Sequence, residues 1–215
     1  MNDLLFGEVC TGIDHRSRFY IENVFEELDS PGEWYFDKED GILYIMPEEG
    51  VDLNNALVEV SNLKRVIELK GSEDDPVHHI VFSGFRITHT ETTFLDEYEA
   101  PSNGDWSIHR GGAVFFEGVE NCAIENCFFD AVGGNAVFLN KYNRGNKICG
   151  NTFTEAGDSA ICLVGNRRIS IGSNHAFPRE NLISNNLIHD IGVFGKQTAG
   201  VFMSVSMDNI VSHNH

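Results

Sequence analysis

The sequence predicts an all-β fold, a parallel β-helix preceded by a small β-rich cap, and three observations predict it. A unit recurs along the chain, glycine falls at its corners, and one turn position is filled by Asn copy after copy. In AIENCFFDAVGGNAVFL, NKICGNTFTEAGDSAICLVG and LISNNLIHDIGVFGKQTAGVFMSV, the first apolar place belongs to Ile124, Ile148 and Ile183. The fourth belongs to Cys127, Asn151 and Asn186, and the sixth to Phe129, Phe153 and Ile188. Gly133, Gly157 and Gly192 follow, and a second strand opens at Ala136-Val137, Ala160-Ile161 and Gly200-Val201. Another copy opens at Val211 and Asn214. Spacings of 24, 35 and 28 residues separate Ile124, Ile148, Ile183 and Val211, so a basic coil of 24 residues carries loops of varying length. Such a unit buries its apolar side only by stacking on its neighbours. A leucine-rich solenoid competes, but no leucine consensus recurs and no segment keeps a helical period. The amides of Asn151, Asn186 and Asn214 are expected to bond to the backbone of the adjacent coil, at corners that lack a ladder of their own.

Taken in order, residues 1–55 are expected to form the cap. RSRFYIENVFEELDSPGEWYFDKEDGILYIMPEEG holds a short amphipathic segment at Val24 to Leu28, a turn at Ser30-Pro31-Gly32, and the hairpin signal WYF-DKEDG-ILYIM. Residues 56–215 are expected to form the coils. NALVEVS and RVIELKG alternate as short strands, the acidic GSEDDP leads to the first clear coil at His79, and VFSGFRITHT with GGAVFF supplies an earlier copy of the repeat. Two insertions, at 92–110 and 165–180, interrupt the stack. Long loops held by a rigid scaffold are where binding groups are usually placed.

Composition narrows the classes of function. With 41% hydrophobic residues the chain can bury a core, and 33 acidic against 15 basic residues give a net charge of −18. That charge repels phosphate backbones and anionic lipid, so neither nucleic acid nor membrane is expected as a partner. There is no apolar run of spanning length, and MNDLLFGEVCTG lacks the basic start and apolar core of a signal peptide. Five cysteines, at 10, 122, 127, 149 and 162, show no paired metal spacing and read as small buried side chains. No metal site is expected from them.

The first insertion ends in NGDWSIHRGG, which sets Trp106, His109 and Arg110 directly before a strand. An aromatic platform beside a charged donor suits a sugar, which offers apolar ring faces and many hydroxyls. The plainer reading is a tryptophan packing the loop down, with His109 and Arg110 solvated.

The segments RFYIENVFEELDSPGEWYFDKEDGILYIMPEEGV, GDWSIHRGGAVFFEGVENCAIENCFFDAVGGNAVFLNKYNR and NLIHDIGVFGKQTAGVFMSVSMDNIVSHN together resemble bacterial right-handed parallel β-helix proteins. That group is similar to β-helical glycoside hydrolases, especially family 141 and, through the N-terminal segment, family 120. The resemblance implies a right-handed, pectin lyase-like coil and a secreted or periplasmic carbohydrate-active enzyme. It also implies a fragment, because an acidic motif of the relatives' active site lies in later coils and has no counterpart here. The fragment alone is therefore expected to be inactive.

Glycosidic cleavage uses two carboxyl groups, about 5 to 5.5 Å apart for retention and about 6.5 to 9.5 Å for inversion. The repeat register puts Ala131, Glu155 and Asp190 in one column and Asp130, Thr154 and His189 in the next, with Asp158 a few positions on. Glu155 and Asp190 are then neighbours one coil apart, about 4.7 to 4.9 Å in strand spacing. Two stacked carboxylates repel, which raises one pKa and creates a general acid. The catalytic candidates are thus Glu155, Asp190 and Asp158. A calcium ion would satisfy the same pair, and solvated turn residues with no shared role are the plain alternative. Lys196 and Gln197 stand in a loop before the strand at Gly200, well placed for sugar hydroxyls. Three classes of function follow: hydrolysis of a complex glycan, a non-catalytic glycan-binding or spacer role, and lyase elimination on uronic acids. The last is disfavoured by the scarcity of cations in so acidic a chain. Any coil left uncapped at the end of the stack is expected to drive self-association.

Overall fold

The computed structural model describes residues 22–99, 107–166 and 176–215, and it divides into two compact units, Met1–Val60 and Ser61–His215. In the first unit the amphipathic segment forms one 3-10 turn, Phe25–Glu27, and the hairpin signal forms an antiparallel pair, Trp34–Asp37 with Ile42–Ile45. Asp37 closes the hairpin loop: its Oδ1 accepts from the amides of Glu39 and Asp40 at 2.9 and 3.2 Å, and Gly41 takes the left-handed φ of 68° that the turn requires. Phe25 packs edge-on against Tyr35 and Tyr44, with centroids 5.3 and 5.1 Å away, and the two tyrosine rings lie tilted at 6.1 Å.

The alternating segment NALVEVS is not a strand. Residues 57–60 belong to no strand, and Leu57 is 87% exposed. Alternation makes a strand only where a neighbouring edge accepts its hydrogen bonds, and here the long sheet's edge is taken by the next segment, Ile67–Lys70, which pairs with Val114–Glu120.

In the second unit the strands form three parallel sheets, of seven, five and four strands, and successive circuits of the chain add strands to each; the short Val77–His78 and Pro178–Arg179 pair beside the main path of the long sheet. The long sheet has the order Val201–Ser204, Ile161–Val164, Val137–Arg144, Val114–Glu120, Ile67–Lys70. A second sheet has the order Ile210–Ser212, Leu182–Ser184, Lys147–Cys149, Ala123–Glu125, Val81–Ser83. The third has Leu187–Ile188, Thr152–Thr154, Phe128–Asp130, Arg86–Thr88. The architecture is all-β with parallel strands throughout this unit, consistent with a β-helix. Ile124, Ile148 and Ile183 stand in register in the second sheet and are fully buried, with Phe82 before them and Val211 after. Phe129 and Phe153 stack at 4.6 Å in the third.

Corners are made by single residues in the left-handed region. Gly84, Asn126, Gly150, Asn185 and His213 form one such column; His79, Asn121, Gly145, Glu180 and Asp208 form another; His89, Ala131, Glu155 and Asp190 form the third. Asparagines bridge the coils beside two of these columns. Asn186 Oδ1 accepts from the Asn151 amide at 3.0 Å, Asn151 Oδ1 from Cys127 at 2.9 Å, and Asn214 Oδ1 from Asn186 at 3.0 Å. Their Nδ2 groups donate to the carbonyls of Ile148, Ile124 and Ile183. A second ladder, Asn146, Asn181 and Asn209, repeats the geometry beneath Cys122. Each ladder satisfies donors and acceptors that the tight turn leaves without a sheet partner.

Candidate functional site

The first insertion lies on the outward face of the long sheet. There Ile108, Phe115, Phe138, Cys162 and Val164 form a buried cluster separate from the coil interior, and Phe115 and Phe138 stack at 6.0 Å. Arg110 holds the insertion in place. Its Nε donates to Glu99 at 2.6 Å, Nη1 to Asn140 Oδ1 at 2.7 Å, and Nη2 to the Gly165 carbonyl, where the second insertion begins, at 3.0 Å. Asn140 donates in turn to Glu117, which also binds Lys141 at 3.2 Å.

Beside Arg110 is a cavity of about 470 Å³, lined by residues 62–65, Glu68, Thr93, Asp96 and residues 109–112. Its charges come in pairs. Lys64 Nζ bonds both oxygens of Asp96 at 2.7 Å, Arg65 reaches Glu68 at 2.6 Å while lying 3.9 Å over the Phe115 ring, and His109 Nε2 is 4.0 Å from Asp96. A wall of alternating donors and acceptors with its charge already neutralised suits an uncharged, hydroxyl-rich ligand.

Behind the cavity the Thr93 hydroxyl meets the Tyr98 hydroxyl at 3.1 Å, and the Tyr98 ring lies 5.5 Å from that of His109. Asp158 is only 5% exposed, and its Oδ2 has no hydrogen-bond partner among the described residues. Burial pushes its carboxyl above the ordinary carboxylate range, against the opposing pull of Tyr98, the Ser159 amide and the charge of His109. Burial likewise pushes the Tyr98 phenol up to about 12, helped by the charge of Asp158.

The glycine column explains this enclosure. A Cβ on Gly133 would sit 2.5 Å from the Glu91 backbone, and one on Gly157 would sit 2.4 Å from the Gly133 carbonyl and 3.0 Å from Phe194. The loop 192–199 closes from the other side: the amides of Phe194 and Gly195 donate to the Gly157 carbonyl, and Phe194 lies 6.5 Å from Phe94.

The structure thus gathers His109, Arg110 and Asp158 around one region and sets Glu155 and Asp190 apart from the cavity lining, exposed on the third corner column. Asp158 turns inward, away from their exposed surface, and Asp190 pairs instead with His189 at 2.8 Å. Lys196 turns its ammonium onto the carbonyls of Gly192 and Val193, at 2.8 and 2.7 Å, closing its own loop; Gln197 is exposed. Trp106 lies outside the described residues. No group of three or more His, Cys, Asp or Glu among the described residues is placed to hold a metal ion. Sequence reasoning missed Lys64, Arg65, Thr93, Asp96 and Tyr98. The signal was there in TTFLDEYEA, whose apolar, hydroxyl and acidic residues alternate inside an insertion already marked as a binding loop.

No protein-family model matches the chain, and no curated protein matches it. The solved structures give a likeness. The chain is similar in fold to a glycoside hydrolase. That structure superimposes on 84% of this chain with a TM-score of 0.70 at 21% identity, and the chain spans 36% of its length.

Proposed function

We propose that the chain is part of a carbohydrate-active, right-handed parallel β-helix protein of the glycoside hydrolase type, acting outside the cytoplasm on a complex glycan. The cavity beside the long sheet takes an uncharged segment of that glycan. The observation that carries this reading is the pairing of charge in the cavity: Lys64 with Asp96, Arg65 with Glu68 and Arg110 with Glu99 leave polar atoms for hydroxyls while offering a uronate no unneutralised cation among the described lining residues. The fold likeness supports it independently. For hydrolysis the carboxyl candidates are Glu155 and Asp190, one circuit apart on the same corner column, with Asp158 behind the turn. A specific observation favours a second reading, a non-catalytic glycan-binding section: the Asp190 side chain is 78% exposed, beside His189, and no wall encloses it. Catalytic carboxyls work best where water is excluded.

Equilibrium binding of cellotetraose, xylotetraose and tetragalacturonate tests the proposal. A neutral tetrasaccharide should bind, and Asp96→Asn, which unpairs Lys64, should weaken it about tenfold. Binding of the uronate alone would overturn the reading in favour of lyase chemistry. In the full-length protein Asp190→Asn should lower turnover by several orders of magnitude with folding intact if the pair is catalytic. Unchanged turnover would leave the binding reading.

A further inference from the structure

His109, in the cavity wall, is fixed by its neighbours. Its carbonyl accepts from the Gly111 amide at 2.9 Å and from Asn135 Nδ2 at 3.0 Å. Its ring lies 5.5 Å from the Tyr98 ring and against Gly111, where a Cβ would come within 2.7 Å of Nε2 and 3.0 Å of Cδ2. Nδ1 stands 3.3 Å from the Glu97 carbonyl oxygen. A carbonyl only accepts, so this bond needs the proton on Nδ1, and in the neutral ring Nε2 is left with a lone pair. Nε2 has no hydrogen-bond partner among the described residues, and Asp96 Oδ2 lies 4.0 Å from it. Lys64 Nζ is 2.7 Å from both oxygens of Asp96, and an ammonium only donates, so both oxygens accept. Two of the three N–H bonds of Lys64 at most are used there, which leaves a donor to spare. The wall thus carries two acceptors 4.0 Å apart beside a free N–H. We propose that His109 Nε2 and Asp96 Oδ2 together recognise a vicinal diol, one hydroxyl donating to each. The inference rests on the reading of the cavity as a site for neutral sugar, and deepens it by naming the hydroxyl pattern the cavity selects.

Two acceptors ask for two protons. A single hydroxyl carries one, so it satisfies one acceptor and strands the other. A vicinal diol brings two, on oxygens closer together than the 4.0 Å between Nε2 and Oδ2, so its O–H bonds diverge slightly to reach them. Each hydroxyl keeps lone pairs, and the spare N–H of Lys64 meets one of them. An ammonium ligand also brings protons, but it has no lone pair for Lys64, and the charge of Asp96 that would attract it is already paired. The spacing is held from both sides. Asp96 is tied by Lys64 and by its own amide, which donates to the Thr93 carbonyl at 3.0 Å, while His109 is tied through Glu97 and Gly111. The side chains of His109 and Asp96 are only 19% and 27% exposed, so water compensates poorly for an acceptor left without a proton.

Two measurements test this. Nitrogen-15 NMR of the wild-type imidazoles in alkaline solution needs no sugar, and it should place the His109 proton on Nδ1. A proton on Nε2 would overturn the inference and leave the sugar reading standing. The second is binding of the methyl β-glycosides of xylotetraose and cellotetraose, followed, on whichever binds more tightly, by analogues lacking every C2, every C3 or the terminal C4 hydroxyl. The C3 hydroxyl belongs to every vicinal diol of these glycosides, so its loss should weaken binding to wild type about tenfold. His109→Phe should bind the parent about fivefold to tenfold more weakly. For one analogue, the one lacking the hydroxyl that meets Nε2, the penalties of variant and analogue should not add. Undiminished affinity for the C3 analogue, or penalties that add in full for all three, would overturn the diol while the neutral-sugar reading stands. Tighter binding of tetraglucosamine than of either glycoside would overturn it in favour of an ammonium ligand. Failure of wild type to bind either glycoside would remove both readings.

Discussion

Glu155 and Asp158 sit three positions apart and illustrate two opposite demands on a side chain. Glu155 has φ of 50°, the left-handed conformation that costs a residue with a Cβ about 1 to 2 kcal/mol, and it is exposed. Glu155→Gly should therefore leave stability unchanged or raise it by about 0.5 to 1 kcal/mol in denaturant unfolding, and a clear loss would reveal a hidden structural role for its carboxylate. Asp158 is buried with its carboxyl raised above the ordinary 3.8. A folded-state value above the unfolded one means that the native chain holds the proton more tightly. The stability this confers is fully present below about 3.8 and is lost as pH rises through the raised folded value. Asp158→Asn keeps the shape without the charge, so its melting temperature should exceed that of wild type at neutral pH and converge with it toward acid. Parallel curves at all pH would show that the Asp158 carboxyl titrates alike in the folded and unfolded chains.

At the scale of elements, the coils are held by repetition and the insertions by close approach. Asn151 is buried, accepts from Cys127 and donates to Ile124 in the coil before it and to Asn186 Oδ1 in the coil after, so Asn151→Ala strands partners in both neighbouring coils and should cost about 1 to 3 kcal/mol, read from the denaturant midpoint. Gly157→Ala places a methyl 2.4 Å from the Gly133 carbonyl, and backbone must shift. It should speed amide hydrogen exchange in residues 192–199 more than in the strands. Uniform exchange would mean that this loop is not seated on the glycine column. The coil rows Ile124, Ile148, Ile183 and the first asparagine ladder were legible because stacking makes spacing in sequence equal to register in space. Asn146, Asn181 and Asn209 were equally periodic but sat between strands without an apolar marker to draw notice. NALVEVS misled because alternation reports a side-chain pattern and says nothing of whether an edge is vacant. The cavity was legible only as an insertion. Its pairs Lys64–Asp96 and Arg110–Asn140 join residues 32 and 30 positions apart, a separation that no local pattern encodes.

For the molecule as a whole, the parallel stack ends among the described residues in three strands, Val201–Ser204, Leu187–Ile188 and Ile210–Ser212, each at the edge of its sheet. Met203, Val205, Met207, Ile210 and Val211 are exposed there, so unpaired backbone groups and apolar side chains share one end. Such an edge is a template for another strand of the same direction. Opposing it is the net charge of −18, which repels a second copy over the Debye length, about 30 Å at 0.01 M salt and about 8 Å at 0.15 M. The two effects respond oppositely to salt, and the balance between them fixes the expected behaviour. A chain of these 215 residues should sediment as a monomer when dilute in low salt and associate progressively as salt and protein concentration rise. Replacing Met203, which stands in register with the buried Leu163, and Ile210 together by lysine puts charge on the exposed edge and should return the high-salt profile to monomer. A wild-type profile that stays monomeric across both concentration and salt would show that the end of the stack is already covered.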